Sequence, residues 1–293
     1  VQDLAQQVVS GLATGSIFAS LALALVLIYR SMGVINFAQG EMGMLTTFIA
    51  WQLVQGGMPL WAAFGVTILA AFAGAVVLEL IVIRPVERAA PLTIVIVTLG
   101  LFDVFNGVAG WIWGYVVRPF PPLFPVTPLH VGEVTFNTQD LGIIAVSLAA
   151  LGAISLLFTR TKLGLAMRAA ARYPAESRAL GVPVSWMLAL GWGLAAAMGA
   201  LSGMMIAPVT FLDPNMMQGV LVYAFAAAVL GGIESPLGAV VGGLGLGVLI
   251  NLLGTFVPFI GTDLRLAVAF AIIVTVLLFR PAGVFGHVKL QRV

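Results

Sequence analysis

The chain has 293 residues, of which 61% are hydrophobic and 8% charged, with a formal net charge of +2. A soluble domain carries roughly 25% charged residues, so this chain cannot cover a water-facing surface and belongs in a bilayer. The small net charge argues against a nucleic-acid partner, and the absence of cysteine excludes disulfides, thiolate metal sites and a thiol nucleophile.

A bilayer span needs roughly 20 apolar residues. The first is 8–29, ended by Arg30 and Ser31-Met32-Gly33. It reads as a span and not a cleaved leader, because the run is too long and lacks a basic start. Segment 36–53 is apolar but carries Asn36, Gln39 and Glu41 in its first turns, which reads either as a helix start near the cytoplasmic surface or as polar groups beside a solute. Span 59–83 ends in the charged run 84–88, and span 92–113 holds Asp103 and Asn106. Segment 114–140 is polar and proline-rich, and alternation over 131–136 predicts a hairpin or extended stretch outside the bilayer. Spans 141–158, 186–207, 217–233, 237–257 and 264–279 complete the chain, with a basic tail after them. The expected fold is all-α: one polytopic transmembrane domain, 1–293, with about nine spans.

Between two of these spans lies the loop 160–184. It holds Arg160, Lys162, Arg168, Arg172 and Arg178 against one acid, Glu176. Within it, 174–181 has the punctuation of a very short helix. Pro174 suits the first position, Glu176 and Arg178 suit the helix dipole, and Gly181 followed by Pro183 stops it. The loop is either a topology signal or a docking element. If the first span runs outward to inward, Arg30, Arg84, Arg88, Arg160, Lys162, Arg168, Arg172, Arg178, Arg280, Lys289 and Arg292 are cytoplasmic. Only Arg118 and Arg265 then lie outside. That asymmetry predicts an external N-terminus, a cytoplasmic C-terminus and an external 114–140 segment, with Trp111, Trp113 and Tyr115 at the boundary.

Chemistry-bearing residues are sparse. The two lysines, Lys162 and Lys289, follow no glycine-rich loop, so no P-loop is present. The two histidines, His130 and His287, lie outside the spans, and no metal-ligand spacing or hydrolase triad is visible. The chain is therefore not expected to be an enzyme or to hold a cofactor. Polar groups inside spans mark either a solute path or interhelical bonds. Asn36, Gln39, Gly40 and Glu41 form one such group, with Glu41 alternatively snorkelling from a helix start. Asp103 and Asn106, three residues apart, share a helix face. Glu79, shortly before Arg84, is placed to reach the interface or to pair locally, and Asn251 to bond a neighbouring helix. The stripe Gly238, Gly242, Gly243, Gly245 and Gly247 serves either close packing or a mobile helix beside a path.

Several stretches resemble the permeases of branched-chain amino-acid ABC transporters. Segment 28–45, IYRSMGVINFAQGEMGML, is similar to the signature near the start of that family. Segment 168–182, RAAARYPAESRALGV, is similar to its cytoplasmic loop, with Tyr173 in place of Asn and Val182 in place of Ile. Segments 224–243, AFAAAVLGGIESPLGAVVGG, and 280–286, RPAGVFG, fit as well; Glu234 stands where a Gly is common. The resemblance covers nearly the whole chain. It implies an inner-membrane permease subunit of an ABC importer for branched-chain amino acids or another small polar or zwitterionic solute. It implies a coupling helix built on Arg168, Arg172, Pro174, Glu176, Arg178 and Gly181. It implies a second related permease, two ATPase subunits that bind ATP and magnesium, and an extracytoplasmic solute-binding protein. Relatives in the superfamily carry urea and amides, so the solute is left open. An ion-coupled carrier using Asp103 or Glu41, or a passive channel, is the alternative the residues alone allow.

Overall fold

The computed structural model describes residues 2–87, 89–131, 134–261 and 264–286. Arg88, Lys289 and Arg292, assigned above to the cytoplasmic side, lie outside the described residues, as do His287 and residues 132–133 of the 131–136 stretch.

Eleven α-helices are present among the described residues: α1 (Gln2–Met32), α2 (Gln39–Gln55), α3 (Leu60–Leu78), α4 (Pro91–Trp113), α5 (Thr138–Arg160), α6 (Lys162–Arg172), α7 (Pro174–Ala179), α8 (Val184–Thr210), α9 (Met216–Gly231), α10 (Pro236–Phe256) and α11 (Arg265–Phe279). The fold is the all-α polytopic bundle expected. Of the nine apolar helices, six are long and apolar enough to cross a membrane; α9 and α11 are shorter, and α2 has 17 residues. A two-stranded antiparallel hairpin, β1 (Pro128–Val131) with β2 (Val134–Asn137), occupies the segment where alternation predicted one.

Helix α3 does not end cleanly. It passes into a π-turn at Glu79–Ile83 and a 3₁₀ turn at Arg84–Val86. Pro85 supplies the reason: it lacks an N–H and its ring crowds the carbonyl one turn back. Glu79 meets Arg84 there at 3.6 Å.

Helices α1 and α8 form the centre. Trp192 and residues 19–28 of α1 are almost fully buried, whereas α3, α4 and α5 bury only a minor share of their surface. Glycine lets α10 lie directly on α1. A Cβ on Gly243 would strike the Ala19 backbone, and one on Gly247 would strike Gly15. Gly238 and Gly242 face α9 in the same way, against Gly231 and Ala227. Without a hydrophobic driving force between helices in lipid, such backbone proximity is what holds them together. Gly245, in contrast, faces open space. The stripe is therefore a packing device on two faces of α10. Asn251 adds a bond to α1, its Nδ2 donating to the Gln7 carbonyl at 2.7 Å.

The helix ends sort into two faces. On one, 29–33, 168–173, 234–236 and 285–286 line a single cavity. Val284 and Phe285 donate backbone bonds to Leu230 and Gly231, so the RPAGVFG stretch closes on the end of α9. On the other face, Ser10 donates to Asp140 at 2.8 Å, and Arg118 pairs with Leu212 through two backbone bonds.

Gly247→Leu should separate α10 from α1, at a cost of at least about 1–3 kcal/mol, whereas Gly245→Leu should be tolerated. Thermal unfolding in detergent, followed by size-exclusion chromatography, should show early loss of the monodisperse peak for the first variant alone.

Candidate functional site

The site begins where α1 ends. Gly33, at φ +71°, turns the chain back. Six residues, 33–38, then re-enter the bundle without helical bonds of their own. The α2 start lies inside the protein, with 38–44 all buried. Its first polar residues have no exposed surface: Asn36, Gln39 and Glu41 are all 0% exposed. Of the two readings, this burial excludes a surface helix start with a snorkelling Glu41. Asn36 lies before the helix, which begins at Gln39.

Buried backbone groups at such a helix start need partners. Asn36 supplies them: its Oδ1 accepts from the Ala38 N–H at 3.0 Å, and its carbonyl accepts from Gln39 at 3.3 Å. Its Nδ2 donates to Gln39 Oε1 at 3.3 Å, and Gln39 Nε2 donates to the Ala195 carbonyl at 2.8 Å. Ala195 lies near the middle of α8, which fixes the depth of the α2 start. Asn36 and Gln39 thereby act on the chain itself, one as a cap and the other as a strut to α8.

Glycine again sets the distance between helices. A Cβ on Gly43 would lie 2.7 Å from the Gly199 carbonyl oxygen, and one on Gly203 would lie 2.7 Å from the Gly43 carbonyl oxygen. At Gly40 the nearest neighbours are looser, Leu221 Cβ at 3.3 Å and the Met217 carbonyl at 3.4 Å. Gly43, Gly199 and Gly203 are the closer contacts, and the sequence reading had singled out Gly40. Spacing alone does not say which helical glycine meets a backbone.

Glu41 and Asn106 come together. Asn106 Nδ2 donates to Glu41 Oε2 at 3.3 Å, to the Pro214 carbonyl at 2.8 Å and to Asn215 Oδ1 at 3.3 Å. Tyr115 donates its hydroxyl hydrogen to Asn106 Oδ1 at 2.9 Å. Gln218 donates to Asn215 Oδ1 at 3.0 Å, and Asp213 Oδ1 accepts from the Asn215 N–H at 2.7 Å. Asp103, one turn before Asn106 on α4, is exposed. The polar group therefore joins the start of α2, the C-terminal half of α4 with Tyr115 just beyond it, the loop 211–215 and the first turn of α9. Tyr115, Asp213, Asn215 and Gln218 were not singled out from sequence as site residues. The signal available was a short Asp-Pro-Asn loop between two apolar runs.

Two contacts brace this arrangement. Trp113, at the end of α4, stacks on Phe48 of α2 at 5.0 Å and donates to Gln52 at 3.1 Å. Arg118 lies over Trp51 at 4.8 Å and donates to the Trp113 carbonyl at 2.6 Å. Arg118 also carries the backbone pair to Leu212. That pair holds the loop while Phe211 adopts φ +65°, a conformation that side chains rarely occupy.

On the opposite face the basic loop folds as two helices, not as one segment over 168–181. Arg168 and Arg172 belong to α6, which Thr161 caps by accepting from Gly164 N at 3.0 Å. Pro174, Glu176 and Arg178 belong to α7. It ends in a Schellman turn: Val182 donates to the Ser177 carbonyl and Gly181 to that of Arg178, with Gly181 at φ +82°. Within α7 only Ser177 is buried, and the adjoining Leu180 is 85% exposed.

The model of the family described as branched-chain amino acid transport system / permease component matches residues 7–277. The chain belongs to that family. It is 29% identical to the high-affinity branched-chain amino acid transport system permease protein BraD of Pseudomonas aeruginosa, over 98% of this chain and 97% of that one. It is 28% identical to the permease protein LivH of Escherichia coli over the same shares. It is 24% identical to a probable LivH of Methanocaldococcus jannaschii, over 98% and 94%. Among solved structures, PsaBC from Streptococcus pneumoniae in complex with Fab is similar in fold, with a TM-score of 0.50 and 16% identity over 93% of this chain and 91% of that one. The chain is accordingly a multi-pass membrane permease component.

Gly43→Leu should abolish uptake and lower the folded yield, whereas Gly40→Leu should retain folded protein, because only the Leu221 side chain must yield. Uptake normalised to membrane abundance separates the two. Wild-type behaviour of Gly43→Leu would contradict the α2–α8 contact.

Proposed function

We propose that this chain is the membrane-spanning permease subunit of an ATP-driven importer for branched-chain amino acids or a similarly small polar or zwitterionic solute. What supports the reading is the family match over 7–277, together with a short, capped, almost fully exposed helix α7 on the face that carries most of the basic residues. In this reading that face is cytoplasmic, the N-terminus is outside the inner membrane and the C-terminus inside.

The physical logic runs from the loop inward. Helix α6 packs Met167 and Ala170 against Val184 and Met187 of α8, and α7 projects beyond it. A cleft on an ATPase subunit would receive α7, reading Glu176, Arg178 and the apolar Leu180. Movement of that cleft would be carried through α6 to α5 and α8. Because α8 also holds the α2 start through Gln39 and Gly199, the same motion would reach the polar cluster. ATP and magnesium would reside in two such partner subunits. A second related permease would cover the outward face of α4, where Asp103 is exposed, and a soluble binding protein would deliver solute on the face of 114–140.

Charge reversal of Glu176 and Arg178 together tests the coupling role. Exposed ion pairs contribute roughly 0–1 kcal/mol, so the variant should fold and insert normally. ATPase binding should weaken, and solute-stimulated ATP hydrolysis and uptake should fall in parallel, because docking clefts are complementary in charge. Gly181→Val should act the same way by straining the turn. Normal transport by both variants with ATPase bound, or uptake driven by an ion gradient in liposomes holding this chain alone, would refute the proposal.

A further inference from the structure

The cavity on the face of the basic loop gathers charge that α7 does not use. It measures about 1000 Å³ and lies between the end of α1, α6, the start of α8, the turn before α10 and Phe285. Arg30, Arg168 and Arg172 line it, against one acid, Glu234. Arg168 and Arg172 repel Arg30 across it, and Glu234 attracts Arg30. Among the described residues none of the three arginines is in a salt bridge. Arg168 donates only its Nε hydrogen, to the Gly164 carbonyl at 3.4 Å, and Arg172 lies over the Tyr173 ring at 5.7 Å. A guanidinium has five donors, so most of theirs are available to a ligand.

The rest of the lining is largely apolar, with Leu27, Phe158, Leu165, Met187, Leu188 and Phe285. Leu165 is 60% exposed and Phe285 47%, so part of this wall is left uncovered by the chain itself. A ligand that suits the cavity is anionic at one end and apolar at the other. Guanidinium forks match phosphate oxygens in geometry and charge, and an anion among three like charges relieves their repulsion. Position selects the source of the phosphate. Arg30 stands in the last turn of the α1 span, and Phe158 near the end of the α5 span. The cavity therefore lies at the level where hydrocarbon gives way to headgroups, and basic pockets between spans at that level receive anionic headgroups. A free phosphate would leave the apolar wall and most of the volume unfilled.

We propose that Arg30, Arg168 and Arg172 bind the phosphate of an anionic membrane phospholipid, with its acyl chains along Phe158, Leu165 and Phe285. The lipid ties α6 to α1 and to the turn before α10, and so steadies the loop that carries α7. The importer reading does not require this ligand, and failure of the lipid site leaves that reading standing.

The test titrates the purified transporter, in an uncharged detergent, with dioctanoyl phosphatidylglycerol, dioctanoyl phosphatidylcholine and inorganic phosphate, and reads binding by native mass spectrometry. Phosphatidylglycerol should bind at least about tenfold more tightly than phosphatidylcholine, which has the same chains and no net charge. Inorganic phosphate at equal concentration should not displace it. Arg30→Gln or Arg168→Gln should weaken phosphatidylglycerol binding about fivefold and leave phosphatidylcholine unchanged. Arg160→Gln, exposed on the same face but outside the cavity, should change neither. Equal affinity for the two lipids overturns the site, as does phosphatidylglycerol binding that both cavity variants leave intact. Phosphate binding as tight as the lipid's, and lost in the same variants, makes this a free-phosphate site and overturns the lipid. Absence of phosphatidylglycerol binding to the assembled transporter also overturns it and leaves the arginines to an acidic surface of a partner subunit. The comparison of lipids is made on the wild type, so it decides even where a variant fails to fold.

Discussion

A helix that begins inside an apolar bundle must satisfy its own first turn, and the rest of this protein is arranged around that requirement. The segment 33–38 carries the chain back from the end of α1 to a buried helix start, so the N–H groups it delivers need partners within the protein. Asn36 meets the need locally. Gln39 converts the same turn into a strut against α8. Because α2 is anchored at its start and not at a membrane surface, Glu41 is held at depth, where an acidic side chain needs a reason to be.

Close packing makes this possible. Glycines on α2 and α8 bring two backbones into contact, and a second set joins α10 to α1 and α9. These contacts form a rigid centre from which α4 and the basic loop project on opposite faces. Helix α8 links the two. It carries the carbonyl that fixes α2 near its middle and the cluster that seats α6 at its start. In the coupling proposed above, a displacement of α6 and α7 would reach the α2 start through α8.

Much of the fold was legible in the sequence because bilayer thickness and backbone chemistry leave few options. The nine apolar runs, the hairpin near 128–137, the Pro174 start and the Gly181 stop all follow from local rules. The Glu79–Arg84 pair, five residues apart, is made in the π-turn at Glu79–Ile83, which local rules did not foretell. The start of α2 did not follow. A run of apolar residues with three polar ones at its head reads the same whether it begins at a surface or at mid-depth; only α8, far away in sequence, decides. Asp213, Asn215 and Gln218 were missed for a related reason. They reach Asn106 through the packing of α4 beside the loop 211–215, which no spacing in the chain reveals. Gly40 drew attention over Gly43 because it neighbours polar residues, whereas backbone proximity depends on which face meets α8.

If the polar cluster lies on the solute route, the α4 face that carries Asp103 and Asn106, beside the buried Glu41, borders a water-filled path and not lipid. The chain has no cysteine, so single cysteines can be placed without background. In the assembled transporter, a membrane-impermeant thiol reagent should label Asp103→Cys and Asn215→Cys, and saturating L-leucine with the binding protein should protect both. Val274→Cys, on the apolar outward face of α11, should not react. Labelling of Asp103→Cys no faster than Val274→Cys would place that face of α4 against lipid and contradict the account.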